Sequence, residues 1–195
     1  MKRLGHFLKR EDGAIAIEFA FVAPIMLGMF FGLTQLALAL GVRNDVVNLA
    51  SAGADLVAQE SAATTADLTN VFSALSAMLY PYSTTPAKIT ISSISDNNSA
   101  SAAGGNNPTG TVDWSCTQGG TVRSGTYTFP TAAQGVITRG SGDSVIMAEV
   151  TYTYTLPFAV SIPGFASLTG PYTMTNTFFA KPRRVQKITA PSSCP

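Results

Sequence analysis

The chain has one histidine, one tryptophan and two cysteines in 195 residues, and only 12% of its side chains are charged. Each scarcity narrows what the protein can do. Histidine is the commonest metal ligand and the side chain that titrates near neutral pH. His6 precedes a long apolar run, on the side expected to be cytoplasmic, so the body beyond that run has no histidine for a metal site or a proton shuttle. Charge is equally spare. Residues 1–12 carry Lys2, Arg3, Lys9 and Arg10 against Glu11 and Asp12, and from Arg43 onward eight basic side chains balance eight acidic ones. A neutral body offers no electrostatic footprint for a phosphate backbone, so no nucleic-acid partner is expected. The body's carboxylates (Asp45, Asp55, Glu60, Asp67, Asp96, Asp113, Asp143, Glu149) follow no pairing interval. Gly104-Gly105 and Gly119-Gly120 sit among Asn, Ser and Thr and read as turns, not as a phosphate loop after a strand. No cofactor, small-molecule substrate or enzymatic activity is expected. An enzyme using Asp or Ser/Thr chemistry would need carboxylates such as Asp113 and Asp143 to converge in one pocket.

Apolar residues, by contrast, make up 46% of the chain, and they are concentrated near its start. Phe19 to Val42 (FAFVAPIMLGMFFGLTQLALALGV) contains no charge. As a helix it would be about 36 Å long, enough to cross a hydrocarbon core of about 30 Å with some tilt. Basic residues cluster before it and only Arg43 follows closely, which places the N-terminus in the cytoplasm and residues 43–195 outside. Pro24 would bend this helix, which a membrane tolerates where neighbours satisfy the freed carbonyl. A cleavable secretory signal would have a shorter apolar core and a small-x-small exit, and Ala37-Leu38-Ala39 matches that weakly. An ordinary signal anchor remains the plain alternative.

The residues just before the run argue for more than an anchor. The sequence Gly13-Ala-Ile-Ala-Ile-Glu18-Phe19 puts a carboxylate at the edge of a membrane helix, where it is costly unless used. Cleavage between Gly13 and Ala14 would create an α-ammonium, with Glu18 as the fifth residue of the new chain. That carboxylate could pair with the ammonium of its own or a neighbouring chain and hold helices in register.

This pattern resembles the prepilin cleavage site of type IV pilin-like proteins. More closely, Gly13, Glu18, Phe19, Ala20 and Pro24, set in GAIAIEFAFVAPIMLGMFFGLTQLALAL after a basic leader, are similar to the TadE-like family of the tight-adherence (Tad/Flp) pilus machinery. Glu18 favours that family over the TadG-like proteins. The likeness is strong over residues 10–40 and looser beyond, where Lys181-Pro182-Arg183-Arg184 and Cys194 resemble the family's basic, cysteine-bearing ending. It implies a minor pseudopilin-like protein of the cytoplasmic membrane that supports an adhesive pilus, either at its base or as part of the fibre. Gly13 and Ala14 would be the processing site, and Glu18, Phe19 and Pro24 the assembly residues. Its partners would be a prepilin peptidase, other pilus and pseudopilin subunits, inner-membrane platform proteins and membrane lipid. The rival reading is a single-pass anchored binding module that is never processed.

Helical spacing continues past the run through Val46, Ala50, Gly53 and Val57, with Val47 and Ala54 beside them. This small-residue stripe suits either the chain's own domain or another subunit. A second, amphipathic helix is expected in TTADLTNVFSALSAMLYP: Leu68, Val71, Phe72, Leu75, Met78 and Leu79 form its core face, Thr65 caps it, and Pro81 stops it. From about residue 88 the period falls to two. Strands are expected around 88–92 (with Ile89 and Ile91), 111–116, 126–129, 145–156 and 172–180. Residues 96–110 read as an Asn/Ser/Gly loop. Residues 156–168, broken by Pro157 and Pro163, read as a core-covering loop or as an exposed patch for a partner or lipid. Cys116 and Cys194 both fall on the oxidising side and should form one disulfide near Trp114. Lys181, Arg183, Arg184 and Lys187 read as solvated surface.

The expected architecture is α+β: an N-terminal transmembrane helix extending into a pilin-like body, with helices packed on an antiparallel sheet. The expected divisions are a cytoplasmic basic leader (1–13), the transmembrane helix (14–42), a helical stalk with the amphipathic helix (43–80) and a β-rich extracytoplasmic body (81–195).

Overall fold

The computed structural model describes residues 11–96, 109–138, 141–155 and 171–195, with side chains from residue 16 onward. The chain divides into two compact units, Met1–Gly41 with Thr155–Pro171 and Val42–Tyr154 with Tyr172–Pro195. Two expectations, the 96–110 loop and the 156–168 segment, fall largely or wholly outside the described residues.

Helix α1 runs Glu11–Ala58 and contains Pro24. Alanine and leucine are its commonest residues, and these lose little side-chain freedom in a helix. In its first part every large apolar side chain from Ile17 to Leu40 is at least 38% exposed. In the body part, Val42, Val46, Leu49, Ala50, Ala54, Val57 and Ala58 are buried, a repeat of three and four that marks one helix face. That face rests on the chain's own body. A Cβ placed on Gly53 would lie 3.1 Å from Leu75 Cδ1 and 3.5 Å from Ala148 Cβ, so the missing side chain is what lets the helix approach. Val47, expected beside the stripe, is 38% exposed.

Helix α2, Thr65–Met78, begins in a capping box one residue earlier than expected. Thr64, not Thr65, is the cap: the Asp67 amide donates to Thr64 Oγ1 at 3.1 Å, and the Thr64 amide donates to Asp67 Oδ2 at 3.2 Å. Leu68, Phe72 and Leu75, with Leu79 just past the end, are buried. Each such side chain contributes about 1.5–3 kcal/mol of apolar burial. Met78, expected on this face, is exposed because it turns away at the last residue.

The five expected strands are all present: β1 (Ala87–Asp96), β2 (Thr109–Gln118), β3 (Thr126–Thr128), β4 (Ser144–Tyr154) and β5 (Tyr172–Ala180). They form one sheet in the order β3-β2-β1-β4-β5, every neighbour antiparallel. The register aligns Ile91 with Cys116 on one side and Ala148 on the other. Ile89, Ile91, Ile146, Ala148 and Val150 thus share the face under the helices, and all are buried. Ile94, an odd number of residues on, faces the other way. There it joins Phe129, Ile137, Val145 and Met147 in a second core, flanked by Tyr127 and Phe179. The sheet is therefore buried on both faces at one end. Thr90 pairs with Thr117 at 2.9 Å and Ser92 donates to Ser115 at 2.8 Å, whereas the buried Ser93 hydroxyl has no hydrogen-bond partner among the described residues.

Candidate functional site

The N-terminal part of α1 carries the residues singled out from the sequence. Gly13 and Ala14 lie within the helix, ahead of the residues whose side chains are described. Glu18 is exposed, as are Phe19 at 68% and Pro24. Glu18 and Phe19 are adjacent, whereas Pro24 follows Glu18 by six positions, about 240° around the axis. The structure thus places these residues on one helix but not on one face of it. Pro24 has no N–H, so the Ala20 carbonyl loses its bond from within the helix. Thr34 is satisfied locally, its hydroxyl donating to the Phe30 carbonyl at 2.8 Å, which suits an apolar surrounding. Among the described residues this is the one helix long and apolar enough to span a membrane.

The second feature is the C-terminal tail, which is strapped across the body. Cys116 and Cys194 form the expected disulfide, with Cα atoms 5.3 Å apart. Trp114 Nε1 donates to the Ile188 carbonyl at 3.2 Å, and the Ile188 side chain is fully buried. The Ala63 amide donates to the Thr189 carbonyl at 3.1 Å, Ser144 Oγ to the Gln186 carbonyl at 2.7 Å, and Thr65 Oγ1 to the Ser193 carbonyl at 2.7 Å. The strap thereby joins the ends of α1 and α2 to β2 and β4.

The tail's basic residues are exposed, as expected, but three of the four are also paired. Lys181 pairs with Asp143 at 3.2 Å, Arg183 with Asp55, and Lys187 with Asp113. These partners are distant in sequence, and no local spacing announces them. All three pairs are partly exposed, so each contributes little to stability, but together they fix where the tail runs. They also engage Asp113 and Asp143 with separate lysines. Among the described residues no three His, Cys, Asp or Glu side chains are grouped to hold a metal ion.

An open polar cleft of about 540 Å³ lies on the outer sheet face, lined by Lys88, Thr90, Arg123, Glu149 and Thr151. Its carboxylate is already taken, since Arg123 grips Glu149 through Nε at 2.8 Å and Nη2 at 2.7 Å. The same guanidinium stacks 5.5 Å from the Tyr127 ring centroid. Burial raises the Tyr127 pKa above its ordinary value, against the opposing pull of Arg123. Burial likewise raises Tyr152 and Tyr154, with neighbouring tyrosines adding to the effect.

Fold and helix together define a class: one exposed, membrane-length apolar helix joined to an α+β body closed by a disulfide. Comparison with known families narrows it. The family model described as TadE-like protein matches residues 13–55, beginning at Gly13 and taking in Glu18, Phe19, Pro24 and the apolar run. Over that segment the chain is similar to TadE-like proteins. No curated protein and no solved structure matches the chain.

Proposed function

We propose that the chain is a minor pseudopilin-like assembly protein of a Tad (Flp) type IV pilus that serves surface adhesion. It sits in the cytoplasmic membrane by a single span, with its N-terminus inside and its body outside. The observation that carries this reading is the coincidence of the TadE-like match with a glycine start, a carboxylate five residues later, and an exposed membrane-length helix.

In this account a prepilin peptidase hydrolyses the Gly13–Ala14 bond on the cytoplasmic side, leaving a carboxylate on Gly13 and an ammonium on Ala14. Glu18 then pairs with an ammonium of its own or a neighbouring chain. At about 4 Å and an effective dielectric near 20 that attraction is about 4 kcal/mol before desolvation. It acts as a register device more than as a source of stability. Other pilus subunits and inner-membrane platform proteins are the partners of the helix. The body has a structural and interaction role and no catalytic one.

The test is complementation of a deletion strain with wild type or Glu18→Gln, scoring surface pili and attachment. Non-reducing electrophoresis would verify that the body disulfide has formed in each case. Glu18→Gln should abolish piliation while leaving a membrane-inserted, disulfide-bonded protein. Normal piliation by that variant would sink the register mechanism and favour an anchored binding module.

A further inference from the structure

Five of the chain's six tyrosines gather at one end of the body. The Tyr82 and Tyr154 rings meet edge to face, with centroids 6.1 Å apart. Tyr152 donates its hydroxyl to the Ser83 carbonyl at 3.1 Å. Tyr154 is the cross-strand partner of Tyr172. The stretch Tyr172–Asn176 in turn lines a cleft of about 300 Å³ with Arg43, Val46 and Val47. The chain just past α2, the end of β4, the start of β5 and the first body turn of α1 therefore share this end.

The outermost residues are uncovered. Tyr80 is 86% exposed, Pro81, Ser83, Thr84, Thr85 and Arg43 are exposed, and Tyr82 and Tyr172 are partly so. The chain also crosses between its two units here. Val42 is the last residue of the apolar run and the first of the body, Tyr154 ends β4, Tyr172 opens β5, and the sequence between those strands, residues 155–171, carries no charge.

A tyrosine has an apolar body and a polar tip, and its most favourable place beside a bilayer is the headgroup layer, where both are satisfied. An arginine at the same depth meets lipid phosphate. We propose that this tyrosine end is a membrane-contact face, seated among phospholipid headgroups and their first methylenes, so that the body is docked on the bilayer. Phospholipid is the occupant because the apolar run enters the body at Val42, next to Arg43 of this end, and because the tyrosine, proline, threonine and arginine side chains described here match the interface and form no large apolar patch among the described residues. The proposal rests on the reading that residues 19–42 span the bilayer.

The test uses the full chain in phospholipid vesicles with an environment-sensitive fluorophore on a single introduced cysteine, the native pair being held as a disulfide. The three positions are Thr84→Cys at the tyrosine end, Glu60→Cys past the far end of α1, and Phe30→Cys within the span. The label at 84 should be quenched by lipids carrying a nitroxide near the headgroup, and several-fold less by iodide than the label at 60. The label at 30 should be quenched by a nitroxide deep in the chain. If position 84 behaves like position 60 while 30 stays deep, the anchor stands and the docked face is refuted. Shielding of 84 from iodide without lipid quenching refutes it in favour of a protein contact. Iodide access at position 30 overturns the span itself, and the docked face with it.

Discussion

Removing the disulfide should cost the body a large share of its stability, and the size of the loss follows from chain length. Cys116 and Cys194 are separated by 78 residues. Freeing that loop in the unfolded ensemble is worth about 4.5 kcal/mol in the chain-entropy treatment. The native state should change little. Ile188 remains buried, and the Trp114, Ala63 and Ser144 bonds hold the tail as far as Thr189, so only the last residues, with the Thr65–Ser193 bond, are released. The perturbation is Cys116→Ala with Cys194→Ala, followed by urea unfolding of the full chain in mild detergent using the lone Trp114 as probe. With a slope of about 2 kcal/mol per molar urea, the midpoint should fall by about 2 M. Reductant added to the wild type should reproduce most of that fall. A midpoint unmoved by either treatment would refute the entropic account and mean that the strap alone holds the tail in both states.

Two further predictions concern the core. Gly53→Leu should destabilise by about 1–3 kcal/mol by forcing α1 off Leu75 and Ala148, read as a lower unfolding midpoint with an intact far-ultraviolet spectrum. Alkaline pH should also destabilise the body. The folded pKa values of Tyr127, Tyr152 and Tyr154 are raised, so their contribution is complete below the ordinary tyrosine value of about 10 and is lost as pH climbs through the folded values. A spectrophotometric titration should show these phenols ionising later than free tyrosine, and ionisation at the ordinary value would contradict the burial argument.

Much of the architecture was legible in the residues because each level agreed with the next. Ile89 and Ile91 alternate, the β-branched runs at 145–154 and 172–180 are long, and turn residues bound them, so the strands stood out. The disulfide was legible for a simpler reason: two cysteines allow one pairing. Local periodicity could not rotate a helix, which is why Met78 was expected on the core face and lies exposed. It could not choose between two adjacent threonines, and the reciprocal bonds with Asp67 make Thr64 the cap. The tail was the least legible part. Arg183 finds Asp55 across 128 positions, and Lys187 finds Asp113 across 74, through contacts that exist only once the sheet and helices are assembled. The N-terminal motif was the reverse case. Gly13, Glu18, Phe19 and Pro24 are close in sequence, so the candidate site could be read without the fold.

The central claim is that this helix is processed as a pilin-like one, and the mature N-terminus tests it most directly. The protein should be taken from native membranes and its start determined by intact mass and terminal peptide sequencing, beside a Gly13→Ala variant. The account predicts a chain beginning at Ala14 in the wild type and an unprocessed chain in the variant. A wild-type chain still beginning at Met1, or one starting near Val42, would contradict it.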